Sequence, residues 1–195
     1  MTDIKNILLA GVGGQGTLLA SEILSEVLML AGHDVKKAEV HGMAQRGGSV
    51  VSHVRYGKKV LSPTIADGTA DILFGFELLE TCRYLPLLKK GGQVIVNNVR
   101  ISPPSVALGQ DDYPDDIPGY LHKNIDDAHI VNGMELAEQA GNVRTVNVVL
   151  IGALSLYMDI KKDLWLQAIK SMVPERFLDL NIRAFKLGRE SGITD

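Results

Sequence analysis

Cysteine and concentrated charge are both scarce in this sequence. Its 195 residues include one cysteine, Cys82, and the formal net charge is −3. A single thiol forms no intramolecular disulfide and cannot supply the several ligands of an iron–sulfur cluster. We interpret Cys82 as a small apolar filler on a helix. Because the chain also lacks a basic block, we do not expect nucleic acid as a partner.

Long apolar runs and targeting signals are missing as well. The longest apolar stretch, residues 146–158, is interrupted by Asn147, Gly152 and Ser155. A transmembrane helix needs about 20 apolar residues, which is more than this stretch offers. The first residues lack the charged region, apolar core and cleavage site of a signal peptide. We therefore expect no membrane span and a cytoplasmic location.

Several catalytic motifs are also absent. No lysine follows the glycine-rich turn near the N-terminus as it would in a P-loop, and no C-x-x-C pair or Ser/His/Asp arrangement is visible. No G-D-G run precedes paired asparagines, so the sequence predicts neither a cradle for thiamine diphosphate and magnesium nor a metal site. Because difficult redox chemistry needs a cofactor, any redox reaction would depend on groups held by another molecule.

Alternating strands and helices predict the fold. Apolar runs indicate strands at residues 4–10, 34–40, 71–76, 93–97 and 129–131. Helical periodicity indicates helices at residues 14–31, 77–89, 134–140, 146–157, 164–172 and 175–188. This order is typical of a single α/β domain over residues 1–195, with a doubly wound, mostly parallel Rossmann-like sheet and a helical C-terminus.

Two segments depart from this regular order. Residues 49–56 alternate in polarity, and residues 57–62 read as a turn and a second short strand, which predicts an inserted hairpin. Residues 98–118 hold four of the seven prolines and predict a long surface excursion. Gly91 and Gly92 are expected to end the helix that precedes them.

The first candidate site is the glycine-rich turn Gly11-Val-Gly13-Gly14-Gln15-Gly16. Its spacing matches G-x-G-x-x-G between a strand and a helix, which is the context that this motif needs. Outward backbone N–H groups and the positive end of the helix dipole make such a turn a seat for phosphate or another anion. The alternative interpretation is a tight structural turn in which the glycines only permit close packing.

A nicotinamide dinucleotide would need one further residue. An acid at the end of the second strand binds the ribose hydroxyls of such a ligand. Glu39 is the candidate, but it lies 28 residues after Gly11 and within the alternation of its strand. The sequence therefore makes a dinucleotide the minor alternative.

The second candidate site is the loop from His41 to Gly48, which follows the second strand. Ligands of open α/β sheets collect at the carboxyl ends of strands, so we expect this loop beside the glycine turn. Arg46 and Gln45 offer donors, Arg46 as a planar fork that suits phosphate or carboxylate. Gly47 and Gly48 permit close backbone approach. His41 can titrate near neutral pH, although a solvated loop histidine is the alternative interpretation.

The third candidate site is Asn142, Arg144 and Asn147. Arg144 and Asn147 share a helical face at positions i and i+3. The alternative interpretation is structural, with Asn142 capping the helix that follows.

These three segments, with residues 39–55 as the most specific, resemble gamma-type subunits of 2-oxoacid:ferredoxin oxidoreductases. The similarity runs from about residue 4 to residue 188. Within that family the sequence is most similar to the indolepyruvate branch. The 2-oxoglutarate, pyruvate and ketoisovalerate branches are alternatives.

The resemblance implies a subunit of an oxidoreductase whose larger partner holds thiamine diphosphate, magnesium and iron–sulfur clusters. The complex decarboxylates a 2-oxoacid oxidatively, forms acyl-CoA from coenzyme A, releases CO2 and passes electrons to ferredoxin. On this basis the isolated chain binds no cofactor of its own and is inactive. The resemblance assigns no catalytic residue and leaves a homodimer open. Rival classes are a stand-alone Rossmann-like nucleotide-binding protein and an NAD-dependent oxidoreductase, which equilibrium dialysis with NAD, FAD and coenzyme A would distinguish.

The candidate residues would then face the larger partner or an anionic part of coenzyme A. Replacing Arg46 with alanine removes charge-assisted hydrogen bonds worth about 1.5–3 kcal/mol each. We therefore expect Arg46→Ala to raise the KM for coenzyme A or to weaken subunit assembly, measured by steady-state kinetics and by co-purification. If neither changes, Arg46 has no part in the site.

Overall fold

The computed structural model describes residues 4–41 and 48–191, with His41 described in its backbone only. This part of the chain contains one six-stranded sheet, with the strand order β2-β3-β1-β4-β5-β6. The strands are β1 Lys5–Val12, β2 Asp34–His41, β3 Ser49–Gly57, β4 Ala70–Gly75, β5 Leu88–Asn97 and β6 Ala128–Val131. Strands β1, β4, β5 and β6 are parallel, which confirms the mostly parallel sheet.

Strand β3 is the exception, because it lies antiparallel between β1 and β2. Residues 49–56 were expected to pair with a strand at residues 60–62, and that expectation is wrong. The inserted hairpin is formed by β2 and β3 instead. Val60 does not enter a ladder, since its backbone N–H donates to the Asp34 carboxylate at 2.8 Å. Strand β3 therefore pairs with a strand on each side, β1 and β2, rather than with one strand.

Helices cover both faces of the sheet. They are α1 Thr17–Leu30, α2 Leu78–Arg83, α3 Pro104–Ala107, α4 Ile117–Asn124, α5 Gly133–Ala140, α6 Val146–Leu154, α7 Lys162–Met172 and α8 Leu178–Ser191. Short 3₁₀ turns occupy Leu85–Leu87, Val143–Thr145 and Glu175–Phe177. Among residues 4–41 and 48–191, none of these helices combines the length and apolar character that crossing a bilayer requires.

The two cores follow from the period-2 geometry of β1. Ile7 and Leu9 pack in a cluster with residues of α1, α6, α7 and α8, whereas Leu8 and Ala10 pack with residues of α2 and α4. All four side chains are fully buried. Burying a Leu or Ile side chain contributes about 1.5–3 kcal/mol, so β1 anchors both layers of the doubly wound fold.

The helix expected at residues 77–89 is shorter in the structure. Helix α2 ends at Arg83, and a 3₁₀ turn containing Pro86 leads directly into β5. Proline lacks the N–H that an α-helix needs and its ring clashes with the preceding turn, so the helix cannot continue. Gly91 and Gly92 consequently lie inside β5 and do not end a helix.

The C-terminal layer depends on a close crossing of α6 and α8. A Cβ atom at Gly188 would collide with the carbonyl oxygen of Val149, and one at Gly152 would collide with that of Phe185. The two backbones therefore touch without intervening side chains. Each helix thus contributes one buried glycine to the crossing, Gly152 on α6 and Gly188 on α8.

Gly188→Ala tests the crossing. Alanine favours a helix by about 1 kcal/mol over glycine, so propensity alone predicts a more stable variant. The collision with Val149 predicts the opposite sign, a loss of about 1–3 kcal/mol in the free energy of unfolding. Chemical denaturation measures it, with Lys186→Ala on the exposed side of α8 as the control. A stabilised Gly188→Ala variant would contradict the crossing.

Candidate functional site

The glycine turn joins β1 to α1 at the carboxyl edge of the sheet. Gly14 and Gly16 have φ values of +101° and +76°, which L side chains rarely adopt. Gly11, still inside β1, has no room for a side chain, since a Cβ atom there would lie 2.8 Å from that of Phe76. Glycine is thus required at these positions for the turn to pass over the end of β4.

Gln15 stabilises the turn from within. Its Oε1 accepts the backbone N–H of Val12 at 2.7 Å, and its Nε2 donates to the carbonyl oxygen of Phe76 at 2.8 Å. Both ends of the amide are used inside the protein. Gln15 therefore fixes the turn against the end of β4.

Asn97, at the end of β5, binds the same carbonyl group. Its Nδ2 lies 3.4 Å from the Phe76 oxygen, and its Oδ1 accepts the backbone N–H of Gly133 at the start of α5. Asn97 is 1% exposed. The ends of β1, β4 and β5 are therefore joined by two side-chain amides that meet at one carbonyl oxygen.

The second candidate segment reaches the turn through Gly48. The backbone N–H of Gly13 donates to the Gly48 carbonyl oxygen at 2.9 Å. The other predicted members of that loop, the His41 side chain, Gln45, Arg46 and Gly47, lie outside the described residues. The loop is thus placed beside the glycine turn at its carboxyl-terminal end, and the roles of the other four residues stay predictions.

The third candidate segment also meets the turn. A Cβ atom at Gly16 would lie 2.9 Å from Nδ2 of Asn147, a side chain that is 6% exposed. Asn147 Oδ1 accepts the N–H of Val148, and Asn142 Oδ1 accepts the N–H of Arg144. Asn147 therefore bonds within the first turn of α6, whereas Asn142 caps the 3₁₀ turn Val143–Thr145 that precedes α6 and not α6 itself, as had been expected.

Arg144 is exposed, as is Asn142, whereas Asn147 is buried. Within the part of the chain that the structure describes, no carboxylate forms an ion pair with its guanidinium. Arg144 lines a cavity of about 370 Å³, which we call the central cleft. The cleft is lined by Gly14, Gln15, Phe76, Asn97, Val99, Ile101, Met134, Val143, Arg144 and Val146.

A second hollow of about 380 Å³ lies on the other side of the turn, against the first residues of α1. Thr17 lines it and is 3% exposed, and among the described residues its Oγ1 has no hydrogen-bond partner. This oxygen is itself inaccessible to solvent, so it is an unpaired buried group of the fold and not an exposed donor of the hollow.

Glu77, the residue after Phe76, is a fully buried carboxylate. Its Oε2 accepts the N–H of Glu80 at 2.7 Å, while its Oε1 accepts the N–H of Ile101 at 3.0 Å and the Tyr113 hydroxyl at 2.5 Å. Burial, followed by the Glu77 carboxylate, raises the pKa of the Tyr113 hydroxyl above its usual range. Tyr113 therefore stays protonated and remains a donor at neutral pH.

Glu39, the acid weighed as a ribose ligand, is engaged elsewhere. Its Oε1 lies 2.9 Å from Nζ of Lys37 and accepts the hydroxyl of Ser21 on α1. These contacts fasten the edge strand β2 to α1. They give the carboxylate a structural role and weaken the dinucleotide alternative.

Four residues of this region were missed by sequence reasoning: Thr17, Glu77, Asn97 and Tyr113. A signal existed for Glu77 and Asn97, since each stands at the end of a predicted parallel strand, where functional groups collect. Thr17 directly follows the glycine motif and was interpreted only as part of the predicted helix at residues 14–31. Tyr113 lies in the proline-rich excursion, and nothing in the local sequence pairs it with Glu77.

Comparison with known proteins places this arrangement in a family. A model of the family described as pyruvate ferredoxin/flavodoxin oxidoreductase matches residues 6–191. The chain is 43% identical to indolepyruvate oxidoreductase subunit IorB of Archaeoglobus fulgidus, over 97% of this chain and 96% of that one. It is 40% identical to the IorB subunit of Thermococcus kodakarensis, over 94% and 93% of the two chains.

Solved structures agree with the sequence relatives. The gamma subunit of a keto/oxoacid ferredoxin oxidoreductase from Geobacter sulfurreducens superposes with a TM-score of 0.72 at 26% identity, covering 98% of this chain and 99% of that one. A 2-oxoglutarate:ferredoxin oxidoreductase from Magnetococcus marinus, solved with 2-oxoglutarate, coenzyme A and succinyl-CoA, superposes with a TM-score of 0.77. At 21% identity, with 100% of this chain on 32% of that one, this second likeness shows the fold alone. The chain belongs to the pyruvate ferredoxin/flavodoxin oxidoreductase family.

Proposed function

We propose that this chain is the small subunit of an indolepyruvate:ferredoxin oxidoreductase. The observation that carries the proposal is the similarity to IorB subunits over nearly the whole length of both chains. The reaction converts a 2-oxoacid, coenzyme A and oxidised ferredoxin into acyl-CoA, CO2 and reduced ferredoxin. We propose that the complex is cytoplasmic and that ferredoxin is its electron acceptor.

The electron-handling groups belong to a larger partner in this proposal. Cys82 is the one thiol of the sequence, which cannot hold an iron–sulfur cluster. The described residues form no group of three or more His, Cys, Asp or Glu side chains able to hold a metal ion. The donors of the described residues therefore do not fit magnesium or a cluster, and we propose that the partner holds these groups together with thiamine diphosphate.

The role we propose for this chain is to bind coenzyme A. The glycine turn presents backbone N–H groups at the positive end of α1, which favours a phosphate. Arg144 adds a cation that lines the central cleft. Coenzyme A carries several phosphate charges, so it meets the requirement of this donor set.

The shape of the central cleft supports the same ligand. Much of its lining is apolar, and the polar atoms of Gln15 and Asn97 beneath it are bonded within the protein. A ligand in the cleft would bury apolar surface against this lining, while the cation and the helix terminus would orient its charged groups. The pantetheine arm of coenzyme A suits an apolar channel, with its phosphates toward Arg144 and the turn.

Assembly is the first test of the proposal. Co-expression with the larger thiamine-diphosphate subunit is expected to yield a stable complex that reduces ferredoxin with indolepyruvate and coenzyme A. The chain alone is expected to show no turnover with a panel of 2-oxoacids, because it lacks the electron-handling groups. Size-exclusion chromatography of the same sample gives the stoichiometry, including any pairing of two copies of this chain. Turnover by the isolated chain, or its tight binding of NAD, would overturn the proposal.

Arg144→Ala tests the coenzyme A site. Loss of a charge-assisted hydrogen bond costs about 1.5–3 kcal/mol, which corresponds to an increase of about ten- to a hundredfold in the KM for coenzyme A. The KM for the 2-oxoacid should not change, since the partner holds that substrate. Arg144→Lys keeps the charge but loses the planar fork, so an intermediate KM is expected.

The matched control is Arg183→Ala, which removes another exposed arginine, on α8, that does not line the central cleft. It should leave the KM for coenzyme A at the wild-type value. An unchanged KM in Arg144→Ala would remove the central cleft from the coenzyme A site.

A further inference from the structure

We propose that Glu77 is a positioning residue that fixes one wall of the central cleft by holding residues 98–116, here called the strap, through Ile101 and Tyr113. This inference rests on the proposed role of the cleft in binding coenzyme A. The strap leaves the end of β5 and contributes Val99 and Ile101 to the cleft lining.

Burying the polar side chain of Glu77 is unfavourable unless it is hydrogen-bonded within the protein. Its side chain is completely inaccessible, and within the described residues no cation is paired with it. A buried charge is retained only if hydrogen bonds replace its hydration. Glu77 obtains three donors, one from α2 through Glu80 and two from the strap through Ile101 and Tyr113. The carboxylate therefore ties the strap to the end of β4.

Backbone contacts extend this tie on both sides of Glu77. The N–H of Leu78 donates to the carbonyl oxygen of Val99 at 3.1 Å. The N–H of Leu79 donates to the hydroxyl oxygen of Tyr113 at 3.2 Å. The start of α2 thus grips the strap near its beginning and near its end.

The two ends of the strap also hold each other. The guanidinium of Arg100 lies 4.4 Å from the ring centroid of Tyr113, and its Nη2 donates to the carbonyl oxygen of Pro114 at 3.0 Å. The face of an aromatic ring attracts a cation placed over it. The Tyr113 hydroxyl links this exposed contact to the buried carboxylate.

These contacts determine where the wall of the cleft stands. Ile101 donates its N–H to Glu77 and lines the cleft together with Val143 and Arg144. If the hydrogen bonds to Glu77 are lost, the strap can move away and the apolar wall loses its position. Because Glu77 is buried and its oxygens are bonded to protein donors, it contacts no substrate and acts only through the strap.

Tyr113→Phe in the reconstituted complex tests the inference. The variant keeps the ring beneath Arg100 and removes only the hydroxyl, so Glu77 loses one donor and Leu79 loses its acceptor. We expect the KM for coenzyme A to rise about fivefold, the effect of one typical hydrogen bond, with kcat within about twofold of wild type. Tyr120→Phe, on α4 and outside these contacts, is the control and should change neither constant.

Glu77 itself gives a second pair of variants. Glu77→Gln keeps the shape and one acceptor oxygen, whereas Glu77→Ala removes every acceptor. The glutamine variant should therefore recover part of the KM increase seen with alanine. If either variant assembles poorly, hydrogen exchange of the strap peptides in the Tyr113→Phe complex gives an independent readout, with faster exchange expected at residues 98–116.

The outcomes separate this inference from the proposed function. A lower melting temperature of Tyr113→Phe with an unchanged KM would reduce Glu77 to a structural role and overturn the inference. If that happens while Arg144→Ala still raises the KM, the coenzyme A site stands and only the role of Glu77 is lost. If neither variant changes the KM, the central cleft is not the coenzyme A site and both proposals fail.

Discussion

The carbonyl oxygen of Phe76 is the acceptor on which the carboxyl edge of the sheet depends. Gln15 from the β1–α1 turn and Asn97 from β5 both donate to it, and Asn97 also accepts from Gly133 of α5. A buried carbonyl group without a donor destabilises the fold by about 1–3 kcal/mol, so removing these amides is expected to lower the free energy of unfolding. They hold the glycine turn in one conformation, in which the N–H groups of Gly13 and Gln15 donate to the carbonyl oxygens of Gly48 and Val12.

The same bonding pattern determines what kind of site this is. The amides of Gln15 and Asn97 and the carboxylate of Glu77 are all occupied by protein partners. Among the described residues, Arg144 lines the cleft as a cation without an ion pair, and the glycine turn lies at the N-terminus of α1. A cation beside a helix N-terminus suits an anion. Under the proposed function, binding is the chemistry that this edge of the sheet supplies.

Much of the fold could be predicted because strands such as β1 and β4 are short apolar runs that lead into a glycine, Gly11 or Gly75, and their order along the chain indicates a parallel sheet. Pairing partners are a different matter, since the alternation of β3 does not say whether Val60 or β1 lies beside it. The helix predicted at residues 77–89 is too long, because the prediction gave more weight to the apolar residues of this segment than to Pro86. Glu77 could have been suspected from its place after β4. Its partner Tyr113 lies 36 residues away, and only the folded strap brings the two together.

Under the proposed function, this chain influences catalysis through its affinity for coenzyme A and through assembly with the larger subunit, because one cysteine cannot hold the cluster that the redox steps need. Three of its buried polar side chains hold backbone segments in place: Gln15 holds a turn, Asn97 holds a strand end, and Glu77 holds the strap. An error of about 1 Å in a wall of the cleft costs binding energy directly, because position is the one thing that these residues contribute.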